Sequence, residues 1–287
     1  MRLVLSRKGF DSGSGGCPSP ILPNGSMIAL PIPDETSPVR YRDLVWHGHN
    51  LGHIAETLTR GKVRRDNGAH LDPDLRAEMR TRPAGWRPLL GQLAAAQGHL
   101  RNMHIGEGDL FLFWGLFRQV DSELRWTGPP LHVIWGWLQV GIVAPVDSTV
   151  RASADGTWGW AAGHPHLAYS RNSTNTLYVA DDRLAIPGAS ALPGSGVFES
   201  FDDARRLTAE GAKGPGMWKL PLGFLPGRRQ PLSYHTRPNR WTHGNDHVLL
   251  KAASPGQEFV LDGDAYPEVV QWVAELIASA GPGLRKA

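Results

Sequence analysis

A single cysteine, Cys17, stands in a chain of 287 residues. No intrachain disulfide can form, and zinc sites built on cysteine thiolates are excluded. The Cys-x-x-Cys pair of zinc-dependent nucleobase deaminases is excluded with them. Long apolar runs are missing too, since no stretch approaches the roughly 20 residues of a membrane-spanning helix. Met1–Leu5 is too short for the apolar segment of a signal peptide, and Arg7 and Lys8 follow at once. The expectation is a cytoplasmic protein that does not meet a membrane. Net charge is also scarce: 30 Lys and Arg against 27 Asp and Glu leave +3. That argues against binding nucleic acid by bulk positive charge, although a pI near 9.2 does not repel phosphate. Basic clusters at Arg60–Arg65 and around Arg228, Arg229, Arg237 and Arg240 read as solvated faces.

What is present suits a folded chain, 41% hydrophobic and 20% charged, which excludes disorder. Eleven tryptophans are enough to fill a core and leave some to stack on planar ligands. Leu3–Leu5 reads as a buried first strand that runs into a glycine- and serine-rich loop, Gly9–Pro20. Asn24-Gly25 marks a tight turn between Ile21–Leu22 and Met27–Leu30. Helices are expected within Asp43–Thr59, from an Asp72 cap with Pro73 at the first position, over Pro88–Leu100, and over Pro267–Ala280. The last is amphipathic, with Val269, Val270, Val273, Leu276 and Ile277 on one side. Leu110–Phe113 and Leu131–Val143 should be an antiparallel pair joined through the polar link Val120–Pro130. Thr176–Ala180 is a further strand, with Val197–Phe198 and Glu258–Leu261 as weaker ones. Gly188–Pro238 should be long loops pinned by Trp218, Phe224 and Tyr234. With no repeat and no clean linker, the expectation is one mixed α/β domain over residues 1–287, its centre β-rich and its helices flanking.

The polar residues cluster. Gly13-Ser14-Gly15-Gly16 lacks both the Lys-Ser/Thr of a P-loop and the helix start of a Rossmann turn. Its small residues still offer backbone N–H groups that an anion can approach. Arg7 and Lys8 add positive charge beside it, and Asp11 adds an acceptor. The loop Ser6–Pro20 is therefore the foremost candidate for ligand binding, against an ordinary glycine-rich turn. His70-Leu71-Asp72-Pro73-Asp74 sets an imidazole and two carboxylates within five residues, material for general base chemistry or a divalent ion. The competing reading is a helix N-terminus whose acids complement the macrodipole. His47, His49 and His53 lack the glutamate of zinc proteases, and His164-Pro165-His166 reads as a loop with exposed imidazoles. No metal ligand is assigned. Arg171-Asn172, Ser233-Tyr234-His235 and Glu258 are material for a pocket rim or simple surface decoration.

Five phrases together resemble a known family: Leu5-Ser6-Arg7-Lys8-Gly9-Phe10-Asp11, Gly15-Gly16-Cys17-Pro18-Ser19-Pro20-Ile21, His70-Leu71-Asp72-Pro73-Asp74, Gly108-Asp109-Leu110-Phe111-Leu112-Phe113 and Gln257-Glu258-Phe259-Val260-Leu261-Asp262. The chain is similar over almost its whole length to the third of the nucleotide modification associated domains. The resemblance implies a role in modifying DNA bases or in reading modified ones. A weaker central likeness, through Gly108-Asp109 and the strand ending Gly141-Ile142-Val143, is to the barrel sheet of PUA-like and EVE-type modified-base readers.

Two functions follow as expectations. The first is an enzyme acting on a nucleotide or DNA base. Its reactive groups would be Lys8, Asp11, His70, Asp72 and Asp74, with Ser6, Arg7, Gly15, Gly16, Ser19, Arg171, Asn172 and His235 holding the ligand. The second is a non-catalytic reader whose aromatic pocket uses Trp114, Trp135 or Trp137. Neither specifies a cofactor. The partner in both is a nucleotide or DNA.

Overall fold

The computed structural model describes residues 1–147, 150, 156–169, 173–253 and 258–280. The first strand, β1 (Arg2–Arg7), is buried along Leu3–Ser6, the pattern of a strand covered on both faces. After it come β2 (Ser19–Ile21), β3 (Ile32–Pro33) and a small hairpin, β4 (Val45–Trp46) with β5 (His49–Asn50). Helix α1 (Leu51–Leu58) follows, capped by Asn50, whose side chain accepts the N–H of His53. Next are β6 (Ala69–His70), β7 (Leu89–Gln92) and helix α2 (Ala94–Asn102). A long pair, β8 (Leu110–Val120) and β9 (Trp126–Pro145), fills the centre. The remaining elements are α3 (Pro165–Ala168), β10 (Thr176–Ala180), β11 (Ser195–Val197), β12 (Met217–Pro221), β13 (Trp241–His243), β14 (His247–Lys251), β15 (Glu258–Asp262) and α4 (Pro267–Ala278).

The main sheet runs β15-β1-β8-β9-β10-β7, with β11 added to β9 and β2 to β8. β1 lies parallel to β8 and antiparallel to β15, so Ser6 stands between Phe113 and Glu258. β9 gives its first part to β8 and its last part to β10. Register shifts at Phe113/Trp114, Phe117/Gln119 and Val179/Ala180 bend the strands where they occur. The result is a mixed α/β fold in which a curled half-barrel sheet carries flanking helices. Trp114, Trp137, Phe111, Phe113 and Phe259 fill its core, closed by Val269, Val273 and Ile277 of α4.

Several sequence expectations need correction. The turn between β8 and β9 is tighter than Val120–Pro130, because Asp121 Oδ1 accepts the N–H groups of Glu123 and Arg125 at 2.9 Å. The helix foreseen over Pro88–Leu100 starts only at Ala94, and Leu89–Gln92 pair with β10 instead. No helix starts at Asp72: Asp74 exchanges backbone bonds with Leu89, and the Asp72–Pro73 bond is cis. Within Asp43–Thr59 only Leu51–Leu58 is α-helical, the hairpin taking the first part. Asn24-Gly25 does turn, and Ile21 bridges Met27, but only the first arm is a full strand. The stretch Gly188–Pro238 contains β12, part of a three-stranded sheet ordered β12-β14-β13. Trp218 and Phe224 are buried there as expected, whereas Tyr234 is exposed. Among the described residues no helix is long and apolar enough to cross a membrane.

Candidate functional site

β1 delivers the first functional groups. Lys8 N–H still bonds Trp114 O at 2.8 Å, so Lys8 leaves the sheet edge with its backbone fixed. The loop then closes on itself. Asp11 Oδ1 accepts the N–H groups of Gly13 and Ser14 at 2.7 Å each, and Gly16 N–H bonds Asp11 O at 2.9 Å. Of the amides expected to cradle an anion, those of Gly13, Ser14 and Gly16 are thus occupied by Asp11 itself, which also pairs with Arg7 at 3.6 Å. Gly15 has φ +86°, and a Cβ there would stand 2.5 Å from the Phe10 ring. Its role is to let the loop lie on Phe10. Ser19 Oγ is buried and accepts Leu30 N–H at 3.1 Å. Asp11, Gly15, Gly16 and Ser19 shape the loop; Arg7 and Lys8 reach past it.

They reach into a cleft of about 730 Å³. At its buried end lie Lys8, Asp72 and Glu258, with side chains 10%, 2% and 1% exposed. Lys8 Nζ stands 3.5 Å from Asp72 Oδ2 and 3.9 Å from Glu258 Oε1. Ser6, buried beneath, donates to Glu258 Oε1 at 3.0 Å, and Gln92 Nε2 donates to the same oxygen. The other oxygen, Glu258 Oε2, is buried without a partner among the described residues. Burial alone would raise both carboxyls. At Asp72 the charge of Lys8 and the imidazoles of His164 and His166 override it and hold the group well below the usual carboxylate range. At Glu258 burial prevails over Lys8, Ser6 and Gln92, and the group is pushed up.

One wall is made of imidazoles. β6 places His70 opposite Ile32 of β3, which brings it to Asp34. His70 Nδ1 lies 3.0 Å from Asp34 Oδ2, and Tyr169 Oη donates to that oxygen at 2.5 Å. The His70 hydrogen bond is the main cause that holds Asp34 well below its ordinary value. His166, on α3, bonds through Nδ1 to Asn175 Oδ1 at 2.6 Å. Asp72 Oδ2 lies 3.8 Å from His70 Nε2 and 3.9 Å from His166 Nε2. One ligand atom from each of His70, Asp72 and His166 falls within 4.8 Å of the others, close enough for a metal ion. Asp72 Oδ1 accepts Gly91 N–H at 2.6 Å, and His164 Nε2 stands 3.4 Å from it. At the open end lies the start of α2, where Leu93 offers no capping side chain and Ala94–Ala96 line the cleft.

Other candidate residues lie elsewhere. Asp74 is held bidentately by Arg82 at 2.5 and 2.6 Å, a buried brace that does not line the cleft. His235 is fully buried behind the cleft, its Nδ1 bonding Ser233 O at 2.7 Å and its Nε2 accepting Ala253 N–H at 2.9 Å. Trp114, Trp135 and Trp137 are core residues and none lines the cleft. His164 and His166, expected to be exposed, are 2% exposed each. Arg171 and Asn172 lie outside the described residues. Sequence reasoning missed Asp34, Gln92, His99 and Tyr169 on the cleft wall. Tyr169 meets Asp34 across 135 residues, so no local pattern announces either. Glu258 did give a signal, a lone charge at the head of an apolar strand.

The family model for nucleotide modification associated domain 3 matches residues 2–262. The chain belongs to that family. The matched range ends with β15, so every group at the buried end of the cleft falls inside the family domain, and α4 lies beyond it. No curated protein and no solved structure matches the chain.

Proposed function

We propose that this nucleotide modification associated domain is an enzyme that binds a nucleotide or DNA base in the cleft and modifies the base at its buried end. One observation carries the reading: an ammonium and two carboxylates, all nearly buried, meet at the inner end of the cleft, with the carboxyls driven in opposite directions. Burying such charges is costly, and groups whose proton affinities are forced apart suit acid and base roles. Ionised Asp72 is the base, Glu258 holds a proton to donate, and Lys8 stabilises negative charge as it develops. Arg7 and the start of α2, where Thr174 Oγ1 takes the Ala94 N–H but Leu93 offers no cap to the next amides, suit the phosphate at the open end.

One observation favours a PUA-like reader instead. The curled sheet supports a cleft lined by two phenol rings, Tyr169 and Tyr234, on which a base can stack. The two readings part in one experiment. The protein is incubated with nucleoside monophosphates and with oligonucleotides carrying ordinary and modified bases. Thermal protection reports binding, and mass spectrometry of the recovered bases reports chemistry. The enzyme reading expects protection and a mass change in the wild type. Asp72→Asn should keep the protection and lose the mass change. Protection without any mass change favours the reader; no protection by any of these ligands overturns both.

A further inference from the structure

We propose that His70, Asp72 and His166 form a binding site for a divalent first-row transition metal at the buried end of the cleft. The hydrogen bonds around the three residues carry this inference. Asn175 Nδ2 donates to the carbonyl of His166 at 2.7 Å, which turns Asn175 Oδ1 toward the ring. That oxygen can only accept, so His166 Nδ1 carries the hydrogen and Nε2 keeps its lone pair. His70 Nδ1 likewise points a hydrogen at Asp34 Oδ2, which only accepts, and this turns Nε2 toward Asp72. Both Nε2 atoms stand toward Asp72 Oδ2, at 3.8 and 3.9 Å, too far for a hydrogen bond to it. Three ligand atoms thus converge within 4.8 Å of one another, beside the Lys8 ammonium at 3.5 Å from Oδ2.

His164 shows that this is not a general feature of the pocket. Its Nδ1 accepts the N–H of His166 at 3.4 Å, so its Nε2 carries a hydrogen and faces the other oxygen, Asp72 Oδ1. Asp72 is thus divided: Oδ1 accepts Gly91 N–H at 2.6 Å, and Oδ2 has, among the described residues, only the long bond from Lys8 Nζ, at 3.5 Å. An imidazole that faces a metal typically donates its second nitrogen to a carboxylate or carbonyl, as both histidines do here. Ligand atoms about 2.1 Å from one ion lie about 3.4 Å apart at tetrahedral angles. The two separations from Asp72 Oδ2 exceed that by about half an ångström and the third lies within 4.8 Å, gaps that side-chain rotations of His70 and His166 would have to close. Two histidines and one carboxylate leave positions open for water or substrate, and suit zinc or iron(II) better than magnesium or calcium. Lys8 Nζ, 3.5 Å from Oδ2, competes for the same oxygen. Displaced by an ion, it has Glu258 Oε1 to turn to, 3.9 Å away. The site does not need the domain to be an enzyme; in the enzyme reading an ion on Asp72 Oδ2 takes the place of the base role given to that carboxylate.

The full chain, stripped with a chelator, is titrated with zinc by calorimetry and with cobalt(II) by visible absorption. One ion per chain is expected, with cobalt bands of mixed nitrogen and oxygen ligation. His70→Gln and His166→Gln should each weaken binding by roughly tenfold or more, the least that disturbing a metal shell typically costs. His49→Gln, an exposed histidine on β5, should leave it unchanged. Lys8→Met should bind at least as tightly as the wild type, since a competing cation is gone. Absence of saturable binding to the wild type overturns the proposal, as does binding that survives both histidine changes in folded protein. Should either variant fail to fold, the wild-type cobalt spectrum decides: its bands support the site and their absence rejects it.

Discussion

A lysine on a polar surface loop ordinarily contributes about 0.5 kcal/mol or less to stability. The structure ties Lys8 to the end of β1 and buries its ammonium between Asp72 and Glu258. Removing one member of a buried ion pair strands the other, at a cost of about 3–5 kcal/mol. Lys8→Met should therefore lower the free energy of urea unfolding by that order, and Lys8→Met with Asp72→Asn should recover much of it. A loss under about 1 kcal/mol would mark the pair as solvent-screened. Asp74 and His235 teach the converse. Their residue types suggested chemistry, but Arg82 occupies the first and two backbone groups occupy the second. The sequence names polar residues. Whether their hydrogen-bonding capacity is already spent depends on partners far along the chain.

At the scale of elements, the long apolar strands were legible because burial on both faces writes itself as continuous runs. Leu89–Gln92 was not, since Pro-Leu-Leu-Gly-Gln-Leu fits a helix as well as a buried strand. Tertiary contact decides it: a Cβ at Gly91 would stand 2.2 Å from the His166 ring, and Gly91 N–H is spent on Asp72. Gly91→Ala should thus push His166 from its place, destabilise the chain and weaken any ligand or metal bound in the cleft, as calorimetry would read. A second element-level prediction concerns acid. Burial, then Arg7, lowers His132 from 6.5 to about 3, and burial lowers His235 from 6.5 to about 4. His132 Nδ1 accepts Trp218 Nε1–H at 2.9 Å, joining β9 to β12, and His235 Nε2 accepts Ala253 N–H. Because their folded values lie below the unfolded one, the unfolded chain takes up more protons between these limits. The stability is complete above about pH 6.5 and is lost as pH falls toward 4. Urea unfolding should show that decline, and His235→Gln should flatten it in part; a profile flat from pH 7 to 4.5 would contradict it.

Across the whole molecule, the half-barrel brings Arg7 and Lys8, the residues around Asp72, the start of α2 and Glu258 to one opening. Of the groups the sequence would bring to one pocket, Ser6, Arg7, Lys8 and Asp11 with His70, Arg171 or His235, the structure lines one cleft with Arg7, Lys8, Asp11 and His70, while Ser6 and His235 are buried away from it. The sequence could not say where aromatic residues would stand, and the three tryptophans considered went to the core because their neighbours on β8 and β9 are buried on both faces. A second opening of about 600 Å³ lies beside Trp46, Arg76 and Trp86, with acidic groups at Asp181 and Glu199. It is the natural competitor for a nucleotide. Hydrogen exchange measured with and without a nucleoside monophosphate separates the two most directly. The account predicts slowed exchange in residues 7–16, at the start of α2 and near Tyr169, with the segment around Arg76 and Trp86 unchanged. Slowed exchange confined to the Arg76–Trp86 side, or none anywhere at saturating ligand, would contradict it.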